Sequence, residues 1–560
     1  VPITFALLLA AASSLPAPAV SAPNTIYLHG RILTGDGLEN GTPVMVEALA
    51  IRNGYVLATG TDAQISALGG PGTEVIDLHG AFAMPGLNDA HVHLGEAGRL
   101  SQSVDLTGVK SLAEMEARIH KAADAAAPAA WLNGGGWDQT LWPRKTPPTR
   151  QDLDAVTGGH PAIFSRVDEH IAVANTKALE AAGITRGTPD PVGGRIDRDA
   201  QGEATGIVRE APARALIEAH IPPPSAADRR RGLVLALADA ADHGLTSVQD
   251  NSYWEDFEVL QQLEHEGKLP VRVSEWLPFD APVEELRRMR GAQPADDLTL
   301  RTTMLKGFMD GSLGSHTAAM LAPYADQPGN SGLPRYDQDK LNAMAAERAA
   351  AGFQIGFHAI GDRAVDMALT AFAVAEAART RAGVQGEARF RIEHSQVLAP
   401  GDVARYKQLG VIASMQPSHL LSDMRWAPAR LGPAREMYAY NWKAFLDAGV
   451  PLALGTDYPV EPITPFRGLY SAVTRQDEAG SMSFHPEDKL TIAQAIYAYT
   501  QGSAYAEFTE GWKGRLAPGY VADMVVLDHN LLEASPRELL KVQVLYTMVG
   551  GRISYQSAQR

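Results

Sequence analysis

Six side chains in this chain have the types needed to hold divalent cations and to move a proton beside them: His91, His93, Lys306, His358, His394 and Asp457. Imidazole nitrogens and carboxylate oxygens suit zinc and similar metals. The chain has no cysteine, so disulfides are excluded and any metal must rest on nitrogen and oxygen ligands. His91 and His93 lie two apart in AFAMPGLNDAHVHLGEAG, and residues i and i+2 of a strand face the same way. The pair alone is weak evidence. With 16 His in 560 residues, chance yields roughly 0.5 such pairs. The weight comes from the other four. Lys306 interrupts an apolar run, and His358, His394 and Asp457 each fall where an apolar run ends.

The elements that must position these groups follow from the hydrophobic pattern. Short apolar runs at 87–93, 245–250, 271–277, 302–311, 353–362, 390–395, 411–417 and 452–457 alternate with longer Ala-rich stretches such as 341–352 and 364–380. Continuous apolar strands separated by helices predict a parallel sheet covered on both faces. Eight of them predict a (β/α)8 TIM-like barrel over 85–509. The first connection is too long for one helix and contains a Gly/Trp/Pro-rich loop and the hairpin-like GGRIDRDAQGEATGIV. It reads as an inserted subdomain at 130–225 lying over the active site, since loops this long are functional or are units of their own. Residues 23–84 and 510–560 are both rich in short β-like runs with turn dipeptides, which predicts one β-sandwich domain built from both chain ends.

The net charge of −16 argues against a nucleic-acid partner, because phosphate binding needs clustered Lys and Arg. Residues 1–22 carry a short apolar core followed by Ala17-Pro18-Ala19. They read as a signal peptide, with an unstructured Ala/Pro leader as the alternative. A secreted, periplasmic protein is the expectation. No later segment is long and apolar enough to be a membrane helix. A homo-oligomer is compatible with the sequence.

Barrel active sites are built at the C-terminal ends of the strands. The predicted strands 1, 4, 5, 6 and 8 therefore deliver two His, Lys, His, His and Asp to one face. Each alone has a plain explanation: a structural histidine, a snorkelling lysine, an Asp capping a helix. Five strand ends converging on one set of metal-ligand types is hard to obtain from five unrelated causes.

The order H-x-H, Lys, His, His, Asp, with PGLNDAHVH, KGFMDGSLGS, FHAIGDRAVD, RIEHSQVL, SMQPSH and LGTDYPVEP, resembles the amidohydrolase superfamily. Within it, the motifs resemble the YtcJ-like branch that includes N-substituted formamide deformylases. The resemblance extends over nearly the whole chain past the leader, including GYVADMVVLD. It implies His91 and His93 on one divalent metal, His358 and His394 on a second, and a carboxylated Lys306 bridging two zinc ions. Asp457 would bind the first metal and handle the proton. A plain lysine beside a single metal is the alternative for Lys306. The implied reaction is hydrolysis of the C–N bond of a small N-acyl or N-formyl amide by metal-activated water.

Four further residues are candidates for substrate contact. His170, in SRVDEHIAVANTKAL, matches a family segment that more often reads Asp-Gly-His; Glu169 stands here in place of the Gly. His170 would contact the substrate carbonyl or the oxyanion. Trp137 in GGGWDQTLW would wall the pocket, and Gln416 and His419 would line its mouth. Two other functions fit the same residues. One is a carbamate, ester or lactone hydrolase or a deaminase with the same centre. The other is a non-catalytic exported binding or regulatory protein on this fold.

Overall fold

Eight short runs, Leu87–Val92 (β1), Leu245–Asp250 (β2), Arg272–Pro278 (β3), Leu300–Phe308 (β4), Ile355–Ala359 (β5), Arg391–His394 (β6), Ile412–Met415 (β7) and Leu452–Leu454 (β8), form one sheet. Each neighbours the next in sequence order, and every pair is parallel. These are the eight strands expected. The computed structural model describes residues 22–167 and 170–558; the leader reading at 1–22 lies, but for its last residue, outside the described residues. All six residues of β1 and of β2 are buried, as a strand must be when helices cover one face and a filled barrel the other. The barrel closes between β1 and the segment after β8. The Asp457 N–H donates to the His91 carbonyl at 2.8 Å, and the His93 N–H to the Tyr458 carbonyl at 2.7 Å.

A second sheet takes the order Arg195–Arg198, Ala204–Arg209, Ile171–Ala174, Ala162–Arg166, Leu132–Trp137, Val104–Asp105. The first two strands are the antiparallel hairpin expected at GGRIDRDAQGEATGIV. The sheet reaches upstream of residue 130, because the helix Leu112–Ala125 buries Met115, Ile119 and Ala123 in one core with Trp137 and Phe164.

Strands from both chain ends share a third sheet. Met524–Leu527 pairs antiparallel with Phe82–Pro85, and Arg31–Leu33 flanks it on the far side. A four-stranded sheet that includes Thr25–Leu28 and Ala48–Arg52 packs on it through Tyr27, Leu49 and Ile51 against Met524 and Met548. Arg272 at the start of β3 makes a two-pronged ion pair with Asp523 at 2.7 and 2.8 Å, which ties the base of the barrel to this sandwich.

The helix Leu94–Ser101, directly after β1, crosses the helix Ala226–Asp242 where Gly98 meets Gly232. A Cβ on Gly98 would stand 2.5 Å from the Gly232 carbonyl carbon, so the close crossing needs glycine on both sides.

Candidate metal centre

β1 ends at Val92, so His93 is the residue between strand and helix rather than the last of the strand. His91 is fully buried. Its Nδ1 lies 3.0 Å from Glu393 Oε2, and a carboxylate can only accept, so Nδ1 carries the proton and Nε2 presents its lone pair. Nε2 faces Lys306 Nζ at 2.8 Å and Asp457 Oδ1 at 3.6 Å. His93 Nδ1 is 3.1 Å from the Asn251 carbonyl and 3.3 Å from the Asn251 side-chain nitrogen; with the shorter contact donated by Nδ1, Nε2 keeps its lone pair. The His93 Nε2 lone pair then meets Asp457 Oδ1 at 3.0 Å. Two acceptors that close repel unless a cation or an extra proton sits between them. Farther round, His394 Nδ1 is 2.8 Å from Gln416 Oε1 and 3.9 Å from Asp457 Oδ2. The His358 ring stands edge-on to that of His394 with centroids 4.5 Å apart.

Five strand ends therefore bring all six predicted groups together. His419 joins them, its Nε2 3.3 Å from Asp457 Oδ2 and its ring stacked on His394. His91, His93 and Asp457 can each offer a ligand atom to one point, and so can His394, His419 and Asp457.

The electrostatics suit a cation. Burial, then the Lys306 charge, pushes the His91 imidazole down to about 4 and His358 down to about 3. Burial and the His358 charge hold His394 well below its usual range. All three are neutral at pH 7, with lone pairs to donate. Burial alone would raise Asp457, but His91 and the hydrogen bond from His419 outweigh it, holding the carboxylate ionised. Lys306 is buried over the Trp276 ring at 4.9 Å, and desolvation lowers its ammonium to about 8. The donor set, the protonation states and the opposed His93 and Asp457 acceptors fit a divalent metal.

Two cavities meet at this centre and share His93, Lys306 and Phe308. One of about 470 Å³ runs past His419, Asp423 and Trp426; the other, of about 410 Å³, runs past Trp254, Trp276 and Phe279 toward Arg99.

Two expectations about substrate contacts need correction. Trp137 has no exposed surface. It packs on Trp142 in the core of the inserted sheet and donates its indole N–H to the Phe164 carbonyl at 2.9 Å. It is a core residue, because the helix Leu112–Ala125 covers that face of the inserted sheet and packs Met115 and Ile119 into the same cluster. The His170 side chain is 68% exposed beside Glu210, at 3.0 Å, and lines neither cavity. Gln416 and His419 do stand at the centre, with Gln416 bonded to His394 rather than at the mouth.

Three groups that shape the site went unread in the sequence. Glu393 orients His91 and is itself gripped by Arg391 at 2.6 Å. Asp89 takes the N–H groups of His91 and Thr456 on Oδ1, at 3.0 and 2.9 Å, and the Thr456 hydroxyl on Oδ2 at 2.6 Å. The Asn251 carbonyl fixes His93. The signal that could have found the first two is parity, since Asp89 precedes His91 by two and Glu393 follows Arg391 by two.

A parallel eight-stranded barrel carrying a buried His, Lys and Asp cluster at the C-terminal strand ends defines a metal-dependent hydrolase. The match to known proteins is more particular. The model of the amidohydrolase family matches residues 74–555, and the chain belongs to that family. It is 34% identical over 558 residues to the protein LONG AFTER FAR-RED 3 of Arabidopsis thaliana, covering 97% of this chain and 93% of that one. It is 31% identical over 523 residues to YtcJ of Bacillus subtilis (91% and 96%) and 27% over 528 residues to the N-substituted formamide deformylase of Arthrobacter pascens (91% and 95%). Among solved structures, an uncharacterized metal-dependent hydrolase from Pyrococcus furiosus superposes with a TM-score of 0.76 at 31% identity, covering 91% of this chain and all of that one.

Proposed function

We propose that this chain hydrolyses the C–N bond of an N-acyl or N-formyl amide, with two zinc ions held by His91, His93, Lys306, His358, His394 and Asp457. The observation that carries this reading is that the strand ends gather the six groups around one centre, where His91, His93 and Asp457 offer ligand atoms to one point and His394 joins Asp457 beside it, open to two cavities. Divalent cations in such a set make water acidic enough to ionise near neutral pH and polarise the carbonyl that is attacked. The similarity to a formamide deformylase supports an N-formyl or other small acyl group.

The chain's own residues then divide the work. Asp457, an ionised carboxylate held by the chain turn after β8, accepts the proton of the attacking water and returns it to the departing amine nitrogen. Lys306, with its amine pushed toward neutrality by burial, is suited to take up CO2. The resulting carbamate would replace a cation facing three imidazoles by an anion able to bridge. His419 sits 3.3 Å from Asp457 on the side of the larger cavity, where an imidazolium would stabilise negative charge on the attacked oxygen. The leader at 1–22 supports export to a periplasm.

The test is amine release from N-formyl, N-acetyl and N-aminoacyl arylamines and matched esters, with metal-loaded and chelated protein. Chelator-sensitive release from one amide class is the expected result, with Asp457→Asn lowering kcat roughly 100-fold or more. Turnover confined to esters, or undiminished in chelated protein, would overturn the reading.

A further inference from the structure

The cavity of about 410 Å³ that leaves the centre past Trp254, Trp276, Phe279 and Phe308 has one cation at its outer end, Arg99. Arg99 lies on the helix Leu94–Ser101, six residues beyond His93, so the two are about 9 Å apart along the helix axis. Its side chain is 32% exposed. The guanidinium lies over the Tyr253 ring at 5.3 Å, and its nearest carboxylate is Asp256 Oδ2, at 3.8 Å. Asp256 is already engaged by Arg229 at 2.8 Å. Among the described residues none accepts a hydrogen bond from Arg99, although a guanidinium carries five N–H donors in a rigid fork.

The other charged groups around this cavity leave that positive charge standing. Asp280 takes the Tyr336 hydroxyl at 2.5 Å. Glu96, one helical turn before Arg99, is exposed and makes no ion pair with it. Beyond Arg99 the space opens into a second groove along Gly134, Gly135 and Ser165 of the inserted sheet, and Arg99 and Glu96 line both. An aromatic-walled passage with a reactive centre at one end and an unsatisfied guanidinium at the other selects a molecule with matching ends.

We propose that Arg99 is a carboxylate receptor, and that the preferred substrates are amides in which an aromatic or apolar arm joins the scissile group to a carboxylate. The planar, two-oxygen carboxylate is the anion that the guanidinium fork matches. The substrate half of this inference rests on the amide-hydrolase reading; the carboxylate site stands apart from it.

The test separates the two. Binding of phenylacetate and of neutral phenylacetamide is measured calorimetrically to metal-stripped wild type, Arg99→Gln and Arg99→Lys, so that the carboxylate cannot ligate a metal instead. Wild type is expected to favour the carboxylate by about 10- to 100-fold, falling to within about three-fold of parity in Arg99→Gln, with Lys keeping some of the preference. In the loaded enzyme, the ratio of kcat/KM for 4-formamidophenylacetate, whose ring joins the formamide to the carboxylate, over its carboxamide should fall in parallel in the variants. Thermal unfolding checks that both variants fold. Carboxylate binding that depends on Arg99 without any amide turnover would keep the receptor and sink the hydrolase reading. Equal binding of the two probes, or a preference that survives Arg99→Gln, would overturn the proposal.

Discussion

The His91 ring is set by what lies behind it. Glu393 accepts its Nδ1 proton, and Arg391 holds Glu393 with hydrogen bonds at 2.6 and 3.2 Å. Burial would raise the Glu393 carboxyl, but Arg391 and His91 outweigh burial and bring it down to about 2. A carboxyl depressed from its ordinary 4.5 stabilises the fold fully above about 4.5 and loses that contribution as pH falls toward 2. Glu393→Gln should therefore cost metal-stripped protein about 3 kcal/mol at pH 7, and the difference from wild type should shrink across that window. Urea unfolding at several pH values checks it; a difference independent of pH would mean that Glu393 acts through packing alone. Outer carboxylates of this kind commonly contribute 10- to 100-fold to metal affinity, so a weaker metal Kd in the same variant is expected. Trp137 makes the opposite case. Trp137→Ala should lower stability by about 3–5 kcal/mol, the usual cost of emptying a buried tryptophan site. Its effect on relative kcat/KM across an amide panel should be small, because the indole faces the core of the inserted sheet.

At the scale of elements, the centre depends on a junction between the first and last strands. Gly455 follows β8, and a Cβ there would stand 2.6 Å from Asp89 Oδ1 and 2.7 Å from the His91 amide nitrogen. Asp89 stitches the two segments by accepting from His91 and Thr456, and Asp457 then turns into the barrel with φ of +62°. Gly455→Ala should push these segments apart, displacing His91 and Asp457 together. Metal content by atomic absorption is expected to fall in this variant while far-ultraviolet circular dichroism keeps the barrel signal. Full metal occupancy would show that the junction yields without cost. In the next element along, the glycine pair Gly98 and Gly232 has a comparable role, letting the helix that starts at His93 lie close to its neighbour.

Over the whole molecule, burying so many titratable groups makes stability depend on pH. Burial first, and then neighbouring positive charge, lowers His91 to about 4 and His358 to about 3, and drives His394 well below its ordinary 6.5. The unfolded chain protonates these rings near 6.5 while the folded chain does not. Stability is thus whole above about 6.5 and falls as pH drops toward 4 and below, by at most roughly 4 kcal/mol per pH unit for three protons. Chemical unfolding of metal-stripped protein between pH 7.5 and about 4 tests this slope; a flat profile would mean that the cluster opens to water before it protonates. Among the described residues, no helix is long and apolar enough to cross a membrane.

Periodicity was enough to read the barrel. Eight apolar runs, spaced by helices, predict eight parallel strands without any tertiary information, because strands buried on both faces must be continuously apolar. The six ligand-type residues were legible for the same reason: a polar group ending an apolar run stands out against it. The residues around them did not stand out. Parity marks Asp89 and Glu393 only as inward candidates; their roles, and that of Asn251, come from partners 367, 302 and 158 positions away, and a chain-local pattern carries no record of such pairings. Trp137 and His170 were misplaced because local spacing does not say which face of the inserted sheet turns toward the barrel. Arg99 shows the same limit, since its unsatisfied donors and aromatic-walled passage exist only once helix, strands and inserted sheet are assembled. Composition and period determine which elements form and which residue types they carry. Which of those residues meet, and with what left unpaired, is decided by closure of the barrel, where contacts far apart in sequence are made at once.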